Sequence, residues 1–525
     1  MEEVKQIIGF VDFDEKIEAS ETLKCRIVVA QDLIDKLHRN KYVKILSSEG
    51  RTFLGRIIAG PFFKPEGMPP TSHIAKTFIV KGESFEKPPP YYGVFIAELV
   101  GEISRKSLQS TYTKPKPKSP VLEMRAIEIQ EIIGSKGDMI IGHLLGYKGV
   151  KVLLDSSDIN VLPRNIGIFG TVGSGKTNTA QVLIEEALER GWAVFVLDIE
   201  GEYTYMDSPN DNDYALNILK SIYDLEAEGV KDLEVYVPLG RKSTRKDAKS
   251  FGIDFEKINP YVFAEIIEAT EAQQRYLGRI VDELLSERRE ESSGDELEEL
   301  VVGSKRKPLT LREVRETIES NVGSVERFMR SSLLALSSKL ERLERLRIFD
   351  IGDEIPLVKR MKEGALTIID LSDVEDRVRN IIIAWLLDSV FKLKLRGLKT
   401  KTMIVIEEAH TFVSVEAREK MAATLDMLKI LARRGRKRWL SLVFVSQQPG
   451  HLPAEIFELC NTRFVHMLKS ELNLNVIRRT SGGITREHLT LIPSFSVGEA
   501  VLISPVFSFP LIMKVRPSKT MKYHF

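Results

Sequence analysis

Residues 170 to 177 read GTVGSGKT, a combination of residue types and spacing that points directly to chemistry. A glycine, four further residues and then Gly-Lys-Thr are typical of a phosphate-binding P-loop. Glycines let successive backbone amides turn toward phosphate oxygens, and the helix that follows adds partial positive charge. We therefore predict a nucleotide-binding set that comprises Gly170, Thr171, Val172, Gly173, Ser174, Gly175, Lys176, Thr177 and Asn178.

Lys176 and Thr177 have separate predicted roles in this loop. A lysine at this position reaches the β- and γ-phosphates, and the threonine hydroxyl can ligate Mg²⁺. We predict ATP and Mg²⁺ as the ligands, with Thr177 and Glu407 contacting the metal. The histidines show no metal-binding spacing, and Cys25 and Cys460 form no CxxC motif, so the sequence indicates no other metal.

Two acidic residues follow the apolar run MIVI, which ends at residue 406. The run predicts a buried strand, and Glu407 and Glu408 would emerge at its carboxyl end, where ligands of α/β proteins bind. We predict that Glu407 holds Mg²⁺, directly or through water, and that Glu408 is the general base for an attacking water. An aspartate is more usual at position 407, so the division of roles between the two carboxylates stays open.

Two other predicted strands end in polar residues. WAVFVLD ends at Asp198, which could position water or a metal ligand; the alternative is a local turn with Gly201. For Glu202 the functional and the turn interpretations are evenly balanced. LSLVFVS leads to Gln447, whose amide could contact both water and the γ-phosphate, or could begin a turn before Pro449.

Arginines precede two of the predicted strands. Arg433 and Arg434 belong to the run ARRGRKR, and Arg164 stands just before NIGIFG. In a ring of subunits, one of them could enter the neighbouring site as an arginine finger. The alternative is an ordinary solvated helix end, where cations complement the helix dipole. The basic loop GRKSTRK at 240–246 could touch phosphates, but simple exposure is favoured.

The elements that must position these residues alternate between strands and helices. This alternation predicts an α/β P-loop NTPase (RecA-like) core with a parallel sheet, an N-terminal small β-barrel and a helical insertion. A strand at KTFIVKG and a loop at ESSGDELEELVVGSKRKP are also predicted. The predicted divisions are a barrel region at 1–150 with a Pro/Lys-rich stretch at 114–120, the first part of the core at 151–254, the insertion at 255–347, the second part of the core at 348–505, and a tail at 506–525 that could contact a neighbouring subunit.

The composition limits the class of protein. Apolar residues make up 43% and charged residues 29%, which is typical of a folded chain and excludes dominant disorder. The 76 Lys and Arg residues nearly balance the 75 Asp and Glu residues, so overall charge does not steer the chain toward nucleic acid. A basic channel with acidic outer surfaces remains compatible with this balance. Two cysteines and the lack of a run of about 18 apolar residues lead us to expect a cytoplasmic protein without a membrane partner.

Five motifs together resemble the HerA family within the HerA/FtsK group of ATPases, and they occur in that family's order. They are RNIGIFGTVGSGKTNTA, VFVLDIEGEY, MIVIEEAH, ARRGRKR and LVFVSQQPG. The resemblance covers nearly the whole chain. It implies a homo-hexameric ring that uses ATP to translocate on double-stranded DNA, with a nuclease partner of the NurA type in DNA end resection and repair. The working residues it implies are Lys176, Asp198, Glu408, Gln447, Arg164 and an arginine within 433–436.

Two alternative functions remain open at this point. A secretion or conjugation ATPase has a similar P-loop core, but it usually carries membrane segments or has membrane-anchored partners. A nucleotide-gated hexameric scaffold would use ATP mainly to set its assembly with an effector subunit. Stimulation of ATP hydrolysis by duplex DNA would distinguish a DNA motor from both.

Overall fold

The computed structural model divides the chain into two compact units. It describes residues 6–13, 23–67, 69, 71–73, 76, 90–105, 107–291, 308–413 and 422–523. The first unit consists of Met1–Leu154, Gly483–Leu491 and Val501–Val515. The second consists of Asp155–Gly482, Ile492–Ala500 and Arg516–Phe525. The predicted strand at KTFIVKG and most of the predicted loop at 291–308 lie outside the described residues.

The strands are numbered in chain order. They are β1 Ile7–Val11, β2 Lys24–Ala30, β3 Tyr42–Leu46, β4 Thr52–Pro65, β5 Tyr91–Ser104, β6 Ser107–Gln109, β7 Pro120–Glu123, β8 Met139–Leu144, β9 Tyr147–Leu154, β10 Asn165–Phe169, β11 Ala193–Asp198, β12 Asp232–Pro238, β13 Lys249–Phe251, β14 Ala365–Asp370, β15 Thr402–Ile406, β16 Leu440–Ser446, β17 Cys460–Val465, β18 Glu499–Ile503 and β19 Leu511–Val515.

The α-helices are numbered in the same way. They are α1 Ala126–Ile133, α2 Lys176–Glu189, α3 Asp213–Ile218, α4 Pro260–Ile266, α5 Glu271–Glu291, α6 Leu311–Asn321, α7 Arg327–Glu344, α8 Leu357–Arg360, α9 Asp376–Leu395, α10 Ala409–Phe412, α11 Ala422–Gly435, α12 Ala454–Leu459, α13 Glu471–Thr480 and α14 Arg486–Leu491.

The first unit contains a closed antiparallel barrel. Its strands follow the order β2-β1-β7-β3-β4-β5, and pairing of β2 with β5 closes the ring. Ile27, Phe53 and Phe95 are completely buried inside it. The predicted small N-terminal barrel is therefore confirmed. The Pro/Lys stretch at 114–120 leads into β7, and the Lys118 amide donates to the Val11 carbonyl at 2.8 Å, so its last residues join the barrel wall.

The predicted tail at 506–525 is shared between the two units. Its strand β19 pairs antiparallel with β8 in the first unit, and β8 pairs with β9. The chain then returns to the second unit at Arg516. The idea that this segment contacts a neighbouring subunit stays a prediction.

The second unit is built on a parallel sheet. Its strands follow the order β13-β12-β14-β11-β15-β16-β10-β17, and every pairing in this series is parallel. All residues of β10, β11, β14, β15 and β16 are buried, which explains their almost continuously apolar sequences. The predicted RecA-like core with a parallel sheet is confirmed.

The parallel pairing brings the carboxyl ends of the central strands to one edge of the sheet. Following those strands are Gly170 after β10, Glu407 after β15 and Gln447 after β16, while Asp198 is the last residue of β11. The amino ends of the same strands meet at the opposite edge. We call these the carboxyl edge and the amino edge of the sheet.

The helices α4 to α7 occupy most of the region predicted as a helical insertion. Helix α6 begins with a capping box in which the Thr310 hydroxyl and the Glu313 carboxylate bond reciprocally to backbone amides. It packs against α7, and Leu311 and Val314 of α6 and Leu336 of α7 are buried. The insertion therefore has its own small apolar contact surface.

Candidate active site

The P-loop runs from the end of β10 to the start of α2. Gly173 and Gly175 have φ values of 71° and 106°, which an L side chain rarely adopts. A Cβ on Gly175 would also lie 2.8 Å from the backbone nitrogen of Gly498. The loop is held in place by the Thr171 amide, which donates to the Met467 carbonyl at 2.8 Å. Backbone conformation thus favours glycine at both positions, and the lack of space also requires it at Gly175.

Lys176 is the first residue of α2 and is only 7% exposed. Its Nζ donates to the Thr171 carbonyl at 3.1 Å, so the side chain folds back over the loop. Burial lowers the pKa of Lys176, and nearby carboxylates, with Glu408 first among them, oppose that shift. This arrangement places the ammonium group against the loop that would hold phosphates.

Thr177 and Asn178, the next two residues, point to different partners. The Thr177 hydroxyl donates to Glu202 Oε2 at 2.6 Å. The Asn178 side chain donates to the Arg516 carbonyl at 2.8 Å and accepts from the Ser518 amide at 2.9 Å. Both polar atoms of Asn178 are therefore engaged by the segment after β19. The structure does not bring this side chain to the P-loop, where the sequence predicted it.

Glu407 and Glu408 follow β15 but face different surroundings. Glu408 has a φ of 42°, a left-handed conformation that turns the chain sharply between the two carboxylates. Glu407 Oε2 accepts the amides of Ile199 and Glu200 at 3.2 and 3.3 Å. Burial raises the pKa of Glu407 well above its ordinary value, and the carboxylates of Asp198 and Glu202 raise it further. Glu407 is therefore a buried group that is tied to the loop after β11, and its burial favours the protonated form.

Glu408 has the opposite electrostatic balance. Its Oε2 lies 3.1 Å from His410 Nδ1 and accepts the Gln447 amide at 3.3 Å. Burial alone would raise the pKa of Glu408, but the His410 hydrogen bond and the Lys176 charge outweigh it. The pKa of Glu408 consequently lies below its ordinary value. Both acids act on Lys176, but only Glu408 has a pKa below its ordinary value.

Asp198 is completely buried at the end of β11. Its Oδ1 accepts the amides of Gly201 and Glu202 at 2.8 and 3.1 Å, and its Oδ2 accepts the amide of Tyr203 at 3.0 Å. Burial raises the pKa of Asp198 to about 7, and the Asp370 carboxylate also raises it. These contacts match the local-turn alternative. Through them Asp198 holds the loop that carries Glu202.

Gln447 stands at the tip of β16, beside Glu408. Its backbone amide makes the contact with Glu408, and its side chain is half-buried. The preceding Ser446 hydroxyl lies 3.2 Å from His410 Nδ1. The carboxyl edge thus brings together Lys176, Thr177, Glu408 and Gln447. The predicted roles of their side chains in hydrolysis stay predictions.

The three predicted finger arginines lie at the other edge of the sheet. Arg433 and Arg434 are exposed in the last turn of α11, just before β16 begins. The Arg164 carbonyl accepts from the Ser441 hydroxyl at 3.0 Å, which places Arg164 at the same amino edge. Its Nε is buried without a hydrogen-bond partner in the described chain. None of these arginines is near the P-loop of its own subunit.

The basic loop at 240–246 was expected to be simply exposed, but several of its side chains bond to neighbouring parts of the protein. Arg245 pairs with Asp207 at 2.8 Å, and its guanidinium lies 5.6 Å from the centre of the Tyr205 ring. The Ser243 hydroxyl donates to Asp370 at 2.6 Å. The loop is thereby attached to the carboxyl edge, next to the strand that ends at Asp198.

The donor atoms at the carboxyl edge suit magnesium. The Thr177 hydroxyl and the surrounding carboxylates are hard oxygen donors, the kind that Mg²⁺ prefers. Within the described ranges, no three His, Cys, Asp or Glu side chains gather as a closed metal cage. A magnesium ion that arrives with a nucleotide takes most of its ligands from phosphates and water. One protein hydroxyl with a carboxylate behind it therefore fits such an ion.

Sequence reasoning left Glu202 undecided and gave the residues from Arg516 onward only a possible contact with a neighbouring subunit, with no role at this site. Lys522 Nζ lies 2.9 Å from Glu202 Oε1, so it reaches the same carboxylate that binds Thr177. The sequence gives no periodic or motif signal for this contact, because the partners are far apart in the chain. For Glu202 the sequence offers two signals, its place shortly after a strand-end aspartate and its presence in the motif VFVLDIEGEY.

The sequence was compared with models of known protein families, and one family matches the part of the chain that contains the P-loop. Residues 139–390 match the family model for the central domain of the helicase HerA. This stretch of the chain is similar to the central domain of HerA. This match confirms the predicted recognition of a HerA-type P-loop ATPase.

Individual relatives agree with the family match. A protein of Methanocaldococcus jannaschii named as a probable helicase is 22% identical over 450 residues, covering 83% of this chain and 78% of the relative. The DNA double-strand break repair helicase HerA of Sulfurisphaera tokodaii is 24% identical over 433 residues, covering 80% of this chain and 76% of the relative. These relatives confirm the predicted enzyme class, an ATPase of the helicase type.

A solved structure shows the same fold. VirB4 of Thermoanaerobacter pseudethanolicus superposes with a TM-score of 0.53 at 16% identity, covering 72% of this chain and 96% of that one. At this identity the likeness concerns the fold alone. Among the residues that the structure describes, no helix is long and apolar enough to cross a membrane.

Proposed function

We propose that this HerA-type protein hydrolyses ATP to drive movement along double-stranded DNA in the cytoplasm. It would act as a ring of identical subunits, with a nuclease partner of the NurA type in DNA end processing. The named HerA relatives are DNA double-strand break repair helicases, and this supports DNA as the substrate. The observation that carries the proposal is the meeting of Lys176, Thr177 and Glu408 at the carboxyl edge.

Each of these residues would perform one part of the hydrolysis. The P-loop amides and Lys176 would bind the β- and γ-phosphates of ATP. Glu408, whose pKa is held low, would accept a proton from the attacking water. Gln447, beside Glu408, would orient that water through its side-chain amide.

Magnesium would enter the site with the nucleotide. Thr177 would hold it through its hydroxyl oxygen, and Glu407 would act through water, because its Oε2 already accepts two backbone amides. When bound, the ion neutralises phosphate charge during transfer.

The arginine positions support action between subunits. Arg433 and Arg434 lie at the amino edge, so in a single chain they are separated from the P-loop by the length of β16. A neighbouring subunit in a ring could present its amino edge to this carboxyl edge. An arginine that arrives in this way would neutralise the charge that develops on the γ-phosphate.

The proposal is tested by measuring ATP hydrolysis with and without duplex DNA. We expect stimulation that grows with duplex length and does not depend on base sequence, because backbone phosphates would be the contact. Duplex affinity should fall steeply with salt, with a logarithmic slope of about −0.9 for each phosphate neutralised. A Lys176→Ala preparation serves as the control for contaminating ATPases.

Hydrolysis that duplex DNA leaves unchanged would contradict the motor. That result would favour a scaffold or a secretion role instead. A strong preference for one base sequence would also contradict it.

A further inference from the structure

The segment of residues 516–523, which we call the strap, lies along the P-loop helix α2. Arg516 is completely buried and donates to Glu185 and Glu186 at 2.9 Å each. The Thr520 amide donates to Glu185 at 2.9 Å, and the Gln181 side chain donates to the Met521 carbonyl at 3.0 Å. One guanidinium that is buried between two carboxylates makes this attachment costly to break.

The strap contacts follow one face of α2. Residues 178, 181, 185 and 189 are three or four positions apart, which places them on the same side of a helix. Asn178 contacts Ser518, and Glu189 contacts Lys519. The strap therefore has a fixed position along α2, the helix that begins at Lys176 of the P-loop.

The last described residues of the strap meet Glu202. Lys522 Nζ lies 2.9 Å from Glu202 Oε1, and the Tyr523 amide donates to the Glu202 carbonyl at 3.1 Å. The Tyr523 ring stacks on Tyr205 with ring centres 4.9 Å apart. On the other side, the Glu202 amide donates to Asp198. Glu202 is thus held from both its backbone and its side chain.

The two oxygens of the Glu202 carboxylate have different partners. Oε1 faces Lys522, and Oε2 accepts the hydroxyl hydrogen of Thr177 at 2.6 Å. A hydroxyl has one hydrogen and two lone pairs. When its hydrogen points to Glu202, the lone pairs of Thr177 are left available for a cation. Glu202 thereby sets which side of the hydroxyl faces a metal ion.

We propose that Glu202 is a positioning residue for the magnesium nucleotide and that Lys522 of the strap sets the orientation of its carboxylate. This inference rests on the proposed function, in which the P-loop binds a magnesium nucleotide. It connects Lys522 of the strap, through Glu202, to Thr177, the predicted magnesium ligand. Groups behind a metal ligand typically change metal affinity by roughly 10- to 100-fold when they are removed.

The test uses the full-length chain and a fluorescent ADP, titrated once with Mg²⁺ and once with EDTA. The measured quantity is the ratio of the two affinities, which is the gain due to magnesium. Lys522→Met keeps the aliphatic stem and removes the charge, and it should lower this gain by roughly tenfold. The affinity in EDTA should not change, because the P-loop contacts to phosphate remain.

Lys519→Met is the matched control. Lys519 belongs to the same strap, but it pairs with Glu189 and Glu228 and has no contact with Glu202. Its variant should retain the magnesium gain. Lys522→Arg retains a cation near Glu202 and should recover most of the gain. Glu202→Ala should lower the gain at least as much as Lys522→Met.

Two outcomes would overturn the inference alone. One is a Lys522→Met protein with an unchanged magnesium gain. The other is an equal loss in Lys519→Met, which would mean that loosening the strap anywhere has the same effect. If the unaltered protein binds no ADP, or gains nothing from magnesium, the proposed function fails together with the inference.

Discussion

The two edges of the parallel sheet are built in opposite ways. At the carboxyl edge, the polar side chains of Lys176, Thr177 and Glu408 are buried or half-buried, and each makes a hydrogen bond within the site. At the amino edge, Arg433 and Arg434 are exposed cations at a helix end. The seven residues of β16 put about 20 Å between the edges, at about 3.3 Å a residue. The carboxyl edge has the residues that would hold a nucleotide. The arginines of the amino edge are too far away to act on that site, so they could act only on the site of another subunit.

The largest effect should come from removing the cation of the carboxyl edge. Alanine is a good helix former, so Lys176→Ala should not disturb α2, but it removes the charge that would offset the phosphates. We expect ATP hydrolysis to be abolished while the thermal unfolding curve stays cooperative. Turnover near that of the unaltered protein would show that this edge is not the nucleotide site.

The amino edge is tested by the double variant Arg433→Ala, Arg434→Ala. If these arginines act on a neighbour, hydrolysis should fall on the order of 10³-fold. A helix-end charge effect would instead cost under about 1 kcal/mol of stability and leave turnover intact.

Mixing subunits decides between action within and between chains. When the arginine variant is mixed with Lys176→Ala, some interfaces combine an intact P-loop with an intact arginine, so activity should partly return. The matched control mixes Lys176→Ala with Glu408→Gln, whose defects lie at the same edge, and no activity should return. Exchange of subunits without recovery in the first mixture would rule out the finger at these positions.

A smaller loss is expected from the acid pair. Glu408→Gln keeps size and hydrogen bonding but cannot accept a proton, so turnover should fall by roughly 10² while ATP binding persists. Glu407→Gln substitutes a neutral amide for a carboxyl group whose pKa is raised by burial, and turnover should change by less than about tenfold. Because Glu407 could also act on the metal through water, its variant should weaken the dependence on Mg²⁺. If Glu407→Gln lowers turnover about 10²-fold and Glu408→Gln weakens the dependence on Mg²⁺, Glu407 is the general base and Glu408 acts on the metal.

The last prediction concerns the dependence of stability on pH and leaves turnover aside. The pKa of Asp198 is raised from 3.8 to about 7, so the folded protein binds a proton that the unfolded chain releases. This contribution is present below pH 4 and is lost as the pH rises toward 7. Unfolding curves measured from pH 4 to 8 should show a falling stability that Asp198→Asn flattens. The arginine double variant should keep the original profile, since guanidinium groups do not titrate in this range.

Local patterns were sufficient to predict the sheet and the P-loop. Continuous apolar runs that end in Asp198, Glu407 or Ser446 indicate buried parallel strands, and the glycine spacing restricts the turn to one kind of site. The same reasoning placed the acids at the correct edge, because parallel strands end together.

The directions of the side chains could not be predicted in this way. Whether Glu407 faces a metal or backbone amides depends on where the loop at 199–200 lies, and a single sequence does not reveal that. Asn178 follows the P-loop motif, yet it faces Ser518, because one side of α2 is covered by the strap. Contacts between residues more than 300 positions apart leave no local signature.

The return of the chain to the first unit through β19 determines how the protein could be divided. A fragment that stops at Leu154 would lack β19, so β8 would lose its partner on one side. The exposed amides and carbonyls of that strand would then invite pairing with other chains and promote aggregation. The two strands pack closely at Gly142 of β8, where a Cβ would come within 2.1 Å of the Lys514 carbonyl oxygen of β19. An isolated first unit should therefore remain soluble only if residues 501–515 are supplied with it.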